Sequence, residues 1–470
     1  MPLPSRLLPT LLAAALLAVP ATASASDVSA SAAARQGAAH MPGEVVVRYA
    51  RDAGRSDRAA VQRQTGAGAP RVIAPRTRVL TIRDGGSVAD TVRELRARPE
   101  VASAAPNPIA RIGAFFPSDP GNSGTIGGWQ ALQWNFLAGA GVNAPDAWQH
   151  LIDAGRDGGR GVVVAVLDTG VAYANRSRFR RSPDFRRSDF VAGYDFVDND
   201  RRPNDENGHG THVASTIGET THNDQGVTGL AYGARIMPVR VLDDGGAGDS
   251  ADITAGIRWA TRKGADVINL SFEFDDGYRQ VTAREIPDIL AALRYARRRG
   301  VVVVAAAGNQ SRSRLAYPAR YRSVIGVGAT TEHACKADYS NTGHSIDIAA
   351  PGGGADDTND PACPPAGGPQ GRDIFQMTFP WASAYGAPRT ASSYRRFGLP
   401  AGFVGTSMSA PHVSAAAALV IASRRIGRRP SPQEVEDRLE GTAIDTGKPG
   451  HDPVYGAGRL DAAAAVDPLR

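Results

Sequence analysis

Val162-Val163-Val164-Ala165-Val166-Leu167-Asp168-Thr169-Gly170 decides the fold. Six apolar residues run without a break into an acid and a Thr-Gly turn. A strand with one wet face alternates, so a run without alternation reads as a parallel strand covered on both faces. Val301 to Ala307 repeats the pattern. Arg235 to Val241, Asp266 to Phe272, Val324 to Ala329 and Ile346 to Ala349 read as further strands. Helical stretches lie at Ser250 to Lys263, Ala283 to Arg299, Ser407 to Ser423 and Pro432 to Leu439. This alternation predicts an α/β fold, a doubly wound and mostly parallel sheet flanked by helices, with right-handed crossovers. Open sheets of this kind place their sites at the carboxyl ends of the strands, where Asp168 and Asn309 stand.

Two more segments carry chemistry: Asn207-Gly208-His209-Gly210-Thr211-His212-Val213-Ala214 and Gly405-Thr406-Ser407-Met408-Ser409-Ala410-Pro411. With Asp168 they supply an acid, a base and a nucleophile. An Asp after a strand is by itself usually a turn or cap residue. His209 and His212 lack the spacing and the glutamate of a zinc-binding helix, which argues against a metal pair. Ser407 opens an Ala-rich helix, at the positive end of its dipole. Ser409 stands where a Gly-x-Ser-x-Gly elbow would have its last glycine. Chymotrypsin-like chains run His, Asp, Ser, and α/β-hydrolases run Ser, acid, His. This chain runs Asp, His, Ser.

That order and each local context, together with Ala306-Ala307-Gly308-Asn309, resemble the subtilisin-like serine peptidases. The resemblance implies that Asp168 orients His209, that His209 is the general base and that Ser407 is the nucleophile. It implies an oxyanion hole made by the Asn309 amide and the Ser407 N–H. His212 and His412 take buried structural places. Ser271, Phe272 and Glu273 would form one wall of the P1 pocket and Ala306, Ala307 and Gly308 the other, with Ala316 as the floor. The family usually has glycine where Glu273 stands. A rim carboxylate favours a basic P1 residue, unless Glu273 faces solvent or pairs with Arg312 or Arg314. The small, neutral Ala316 points instead to broad specificity with large apolar P1 residues, and the reading leans that way.

Upstream, Arg6 precedes an apolar run from Leu7 to Val19, then Ala23-Ser24-Ala25, the pattern of a secretory signal over residues 1–25. The run is shorter than the ~20 residues a spanning helix needs, so no membrane anchor is expected. Residues 26–42 are Ala/Ser-rich and read as a disordered linker. Residues 43–115 show strands at Glu44 to Tyr49 and Arg78 to Ile82, and a helix at Val88 to Arg98 with Ser87 as its cap. An extended segment, Val101 to Pro108, follows. The phrase Arg98-Pro99-Glu100-Val101-Ala102-Ser103-Ala104-Ala105-Pro106-Asn107 resembles the inhibitory prodomain of the same family. The peptidase domain is expected over 116–470, with an insertion-like region at 352–402.

Residues 27–115 carry 14 Arg against eight acids, which accounts for the whole formal charge of +6. The rest is near neutral, so nucleic acid is not an expected partner. The two cysteines, Cys335 and Cys363, predict one disulfide in an exported chain. The family also implies a structural calcium ion, for which Asp195, Asp198, Asp200 and Asp205, before His209, are candidates; Asn223-Asp224 lies in a second such loop. No cofactor is expected for catalysis. The expected protein is a secreted, monomeric endopeptidase made as a self-processing zymogen, acting on protein and peptide substrates and inhibited by its own prodomain. A silent binding protein on the same fold and a secreted esterase are the rivals.

Overall fold

The computed structural model describes residues 40–64, 70–82, 87–108, 114–274, 279–360, 362–363, 370–380 and 393–467. The chain divides into two compact units between Arg111 and Ile112. The expected signal, most of the linker and the 115/116 boundary's immediate upstream residues 109–113 lie outside the described residues.

In the N-terminal unit, β1 (His40–Tyr49), β2 (Arg71–Ala74), β3 (Thr77–Thr81) and β4 (Val101–Pro108) form an antiparallel sheet in the order β2-β3-β1-β4. Val45, Val47 and Tyr49 alternate along β1 and are buried with Leu80, Val92, Leu95 and Ala104. The helix Val88–Arg96 starts at Ser87, whose hydroxyl accepts from the Asp90 N–H at 3.3 Å. A second helix, Arg55–Gln64, was not expected. Its sequence is dominated by charged and polar residues, and Val61 is the sole residue it gives to the core, so it shows no apolar period.

The larger unit holds seven strands in the order β11-β10-β9-β8-β5-β7-β6. They are β5 (Val163–Asp168), β6 (Tyr194–Asp195), β7 (Arg235–Arg240), β8 (Val267–Leu270), β9 (Val302–Ala306), β10 (Ile325–Thr330) and β11 (Ile348–Pro351). Their pairings are parallel throughout. All six residues of β5 are buried. Val163, Ala165 and Leu167 face the core shared with helices Ser250–Arg262 and Pro287–Arg298. Val164 and Val166 face the opposite core, with helices His209–Gly218 and Thr406–Ser423. This is why the run shows no alternation. The helix Thr406–Ser423 is buried along nearly its whole length, which small alanines permit.

From β5 the chain first builds outward through β6 and β7, then returns to add β8 to β11 on the other side. The crevice beyond the carboxyl ends of β5 and β8 is therefore the topological switch point of the sheet, the place where such folds bind ligands. Cys335 and Cys363 form the expected disulfide. Within the 352–402 region, residues 374–378 lie along the His209 helix: His212 Nε2 meets Ile374 O at 2.9 Å, Ser215 Oγ donates to Met377 O at 3.0 Å, and Thr378 Oγ1 donates to Gly208 O at 2.8 Å. Among the described residues no helix is long and apolar enough to cross a membrane.

Candidate active site

Asp168 is the last residue of β5 and has no exposed surface. Its Oδ1 lies 2.8 Å from His209 Nδ1 and also accepts from the Thr169 N–H at 2.7 Å. His209 is the first residue of its helix. The two segments meet this closely because Gly210 has no side chain: a Cβ there would stand 2.2 Å from Gly170 O and 3.0 Å from Asp168 Oδ1. Burial of the ring disfavours its charged form, but the charge and hydrogen bond of Asp168 outweigh it. The imidazole pKa is therefore raised above its ordinary 6.5.

Asp205 holds this junction together. Its Oδ1 accepts from Thr169 Oγ1 at 2.9 Å, Asn207 N at 2.8 Å and Gly208 N at 2.9 Å. Its Oδ2 accepts from Thr211 N at 2.9 Å and Thr211 Oγ1 at 2.6 Å. These bonds satisfy amides at the start of the His209 helix and tie it to the turn after β5. Both oxygens of Asp205, one of the calcium candidates, thus accept hydrogen bonds from protein donors.

Ser407 stands in the first turn of the buried helix Thr406–Ser423, which packs against the His209 helix. A chain of hydrogen bonds fixes its backbone. Ser414 Oγ donates to Asn269 Oδ1 at 2.8 Å, Asn269 Nδ2 to Ser271 Oγ at 2.9 Å, and Ser271 Oγ to Ser407 O at 2.8 Å. Asn309 follows β9. Its Oδ1 accepts from Thr406 N at 2.8 Å and Thr406 Oγ1 at 2.9 Å, which leaves its Nδ2 as the donor. A Cβ on Gly405 (φ +146°) would lie 3.6 Å from Asn309 Nδ2 and 3.7 Å from Ser407 N, so both nitrogens border the same open space. Thr406, which holds Asn309, lies inside the serine motif without a role assigned to it there, and Asn269, which orients Ser271, carried no motif that singled it out.

His212 and His412 are fully buried and stand apart from this chemistry. Burial pulls their pKa values down to about 3 and about 4, so both rings are neutral. His212 stacks on Phe403 with ring centroids 4.2 Å apart. His412 Nδ1 meets Met408 O, and its Nε2 meets Asn135 Nδ2, both at 2.8 Å.

Beyond β8 and β9 two pairs of the residues expected to line a substrate pocket lie close together, Ala316 with Ala307 and Glu273 with Gly308. Ala316 is buried and its N–H donates to Ala307 O at 2.9 Å. Glu273 turns inward rather than to solvent, against Gly308. Arg314 Nε donates to Gln280 Oε1 at 3.0 Å.

Two acidic groups bear on calcium. Asp195 and Asp198 come together with the nearly buried Arg240, whose Nη1 donates to Asp195 Oδ2 at 3.0 Å and to Asp198 Oδ2 at 2.8 Å. Asp200 is tied back by its backbone to Asp195 and by Oδ1 to the Arg202 N–H at 2.7 Å. A guanidinium therefore already supplies positive charge there. The second group is Asp119, Asp184 and Asn223. Asn223 Nδ2 donates to Asp184 Oδ1 at 2.8 Å, and the Asn223 and His222 N–H groups donate to Asp119 at 3.0 and 2.8 Å. Burial, with Asp119 and Asp189 adding like charge, pushes the Asp184 carboxyl up to about 8. Glu219, also fully buried, is raised by burial and then by Asp184. Desolvated carboxylates in this arrangement fit a hard cation better than the Arg240 group does. Asp119 and Asp184 were missed because they are far apart in sequence and neither sits in a patterned acidic run.

The family model described as the Subtilase family matches residues 159–458. The one described as the fervidolysin N-terminal prodomain matches residues 14–107. The chain is 32% identical over 409 residues to the thermophilic serine proteinase of Bacillus sp. (strain AK1), covering 86% of this chain and 84% of that one. It is 32% identical over 327 residues to thermitase of Thermoactinomyces vulgaris, covering 69% and 93%. A solved structure of proteases from Pseudoalteromonas arctica PAMC 21717 superposes with a TM-score of 0.56 at 30% identity, covering 76% of this chain and all of that one.

Proposed function

The chain belongs to the subtilase family, a family of serine-type endopeptidases, and we propose that it is a secreted endopeptidase that matures by cutting its own N-terminal prodomain. The observation that carries this reading is the 2.8 Å contact between buried Asp168 and His209, the first residue of a helix that packs against the Ser407 helix. A base oriented by a buried carboxylate needs a nucleophile, and Ser407 is the hydroxyl that the family motif offers. The Leu7 to Val19 run and Ala23-Ser24-Ala25 support export.

Ser407 Oγ attacks the scissile carbonyl while His209 takes its proton. The oxyanion accepts hydrogen bonds from Asn309 Nδ2 and the Ser407 N–H. His209 then gives the proton to the departing amine, leaving an acyl ester on Ser407. Water, deprotonated by His209, attacks that ester and releases the second product. Asp168 keeps the imidazole in the required tautomer and stabilises its charged form. Asn309→Ala is expected to lower kcat by about 10²–10³ with a smaller change in KM, because the lost bond is strongest in the transition state. Steady-state kinetics on a peptide anilide check this.

Asp119, Asp184 and Asn223 would hold a calcium ion, which supplies positive charge to buried carboxylates and ties the N-terminal segment of the domain to the loop after the His209 helix. Chelation is expected to lower the midpoint of thermal unfolding in the wild type, with roughly 3 kcal/mol at stake when calcium is at a hundred times its dissociation constant. Asp184→Asn should remove the chelator-sensitive part. A midpoint indifferent to both calcium and chelator would count against the site.

The whole reading is tested by folding the full-length chain with calcium and following it on a gel and against casein. The expected result is loss of roughly the first hundred residues, a size set by the boundary in the sequence, together with casein digestion blocked by a serine-reactive phosphonate. Hydrolysis of activated esters without casein digestion would favour the esterase. A folded, unprocessed and inert chain would favour a silent binding protein.

A further inference from the structure

One end of the larger unit collects cations. Its strands are parallel, so their amino ends share the edge away from Asp168. Helix Ser250–Arg262 ends just ahead of β8 and exposes Arg262 and Lys263 there. Helix Pro287–Arg298 ends just ahead of β9 and exposes Arg298 and Arg299. Arg160, before β5, and Arg235, at the first position of β7, are exposed as well. Helix Thr406–Ser423 opens at the other edge, where Ser407 O meets Ser271 just after β8. It then crosses the core: near its far end Leu419 lies against Gly159, ahead of β5, where a Cβ would stand 3.6 Å from Leu419 Cδ2. The segment that follows, Arg424-Arg425-Ile426-Gly427-Arg428-Arg429, adds two pairs of exposed arginines. It leads to helix Pro432–Gly441, which is tied to the last turn of helix Pro287–Arg298 by Arg297 Nη2 and Glu436 Oε2 at 2.8 Å.

β9, β8, β5 and β7 are neighbours in the sheet, so their starts span about 15 Å and these side chains form one patch. Basic residues in a last turn complement the helix dipole, which accounts for Arg262 and Arg298. It does not account for Arg160 and Arg235, which precede or begin strands, or for Arg428 and Arg429, which lie beyond any helix. Among the described residues, Arg160 alone of these cations is ion-paired, to Asp157 at 3.6 Å. The other acids at this end serve the backbone or an amide. Asp266 Oδ2 accepts from the Val163 N–H at 2.8 Å, Glu434 Oε2 from the Ser431 N–H at 2.7 Å, and Asp153 Oδ1 from Gln149 Nε2 at 2.8 Å. Residues outside 27–115 are near neutral as a whole, so the patch is a concentration of charge and not a consequence of composition. Arginine predominates, and its planar fork matches the oxygens of a phosphate. The patch is broad and is built from several helix ends and strand starts, which suits an extended surface. Ile426, half-buried between the two arginine pairs, adds an apolar edge that suits lipid better than nucleic acid.

We propose that this end of the domain docks on a membrane surface that displays anionic phosphate headgroups, with the Asp168 end turned away from the lipid. Clusters of basic side chains at such surfaces are held by the negative surface potential, and the attraction fades within a Debye length. The docking does not depend on which residue is the nucleophile.

The test uses residues 26–470, the form expected after export, carrying Ser407→Ala so that no digestion intervenes. It is sedimented with phosphatidylcholine vesicles that contain either no phosphatidylglycerol or about one third of it. Binding to the anionic vesicles alone is expected at about 0.02 M salt, with release at about 0.5 M. Arg424→Gln, Arg425→Gln, Arg428→Gln and Arg429→Gln together should weaken partitioning by at least about tenfold. Arg262→Gln, Lys263→Gln, Arg298→Gln and Arg299→Gln together should act alike, and they decide the matter if the first set fails to fold. An equal loss of charge from the N-terminal unit, through Arg48→Gln, Arg51→Gln, Arg55→Gln and Arg63→Gln, should leave partitioning within about threefold. No binding to anionic vesicles at low salt, or an equal loss in the N-terminal control, overturns the proposal. Tighter binding to a DNA duplex than to the anionic vesicles assigns the patch to nucleic acid and overturns it as well.

Discussion

Ser407→Ala is expected to lower peptide turnover by about 10⁶-fold and to leave the chain at full length. The size of the loss is the one known for subtilisin itself when its nucleophile is removed, and what survives comes from binding and the oxyanion donors. The remaining machinery cannot compensate. His209 would have no hydroxyl to deprotonate, and the neighbouring Thr406 hydroxyl is already committed to Asn309 and to the Gly308 N–H. The fold should not notice the change. Ser407 is partly exposed, whereas the helix it opens is held by Met408, Ala410, Val413 and the residues beyond them, and by the Asn269–Ser414 bond. Circular dichroism of the variant should therefore match the unprocessed wild type, with stability within about 0.5 kcal/mol. A gel run beside a casein assay reads both outcomes. Loss of activity with normal trimming would mean that another protease does the cutting.

Asp168→Asn should cost about 10⁴ in turnover, the loss seen when the acid of such a constellation becomes an amide. It also shifts the pH profile, which makes the second prediction sharper. In the wild type, burial pulls the His209 pKa down and Asp168 more than restores it, so the net shift is upward from 6.5. The general base has to be neutral, so kcat/KM is low on the acid side and rises with pH through that raised pKa. Asparagine removes the charge and keeps the burial. The acid limb should then move to lower pH while the plateau falls. A pH profile of kcat/KM for both proteins tests this. A limb that stays in place would mean that Asp168 does not set the protonation of His209.

The parts of the fold legible from sequence were those in which burial leaves a pattern. β5 and β9 are covered on both faces, and their unbroken apolar runs say so. Helix Arg55–Gln64 and strand β2 were not legible. The first gives a single apolar side chain to the core, and all four residues of the second are exposed. Helix Ala144–Asp153 does leave such a pattern: Ala144, Ala147, Trp148 and Leu151 have helical spacing and are all buried.

The candidate site divides in the same way. Asp168, His209, Asn309 and Ser407 sit in short motifs that travel with their chemistry. The residues that hold them do so through tertiary contacts that no local motif encodes. Asp205 looked like one more acid in an acidic loop, yet it anchors the start of the His209 helix through five hydrogen bonds. Arg240 belongs to β7 and reaches Asp195 and Asp198 more than forty positions upstream in the chain. Glu273 was suspect from sequence because a charged residue stood in a glycine position, but its direction depends on Gln310 and Asn341, which only the folded chain brings beside it.

The central claim is that Ser407 is a nucleophile activated by His209. Labelling mature wild type with a fluorophosphonate, followed by peptide mass mapping, tests it most directly. One adduct per chain is expected, on Ser407, forming faster as pH rises and absent in His209→Ala. Stoichiometric loss of casein digestion on labelling of a different serine, or full activity with Ser407 unlabelled, would contradict it.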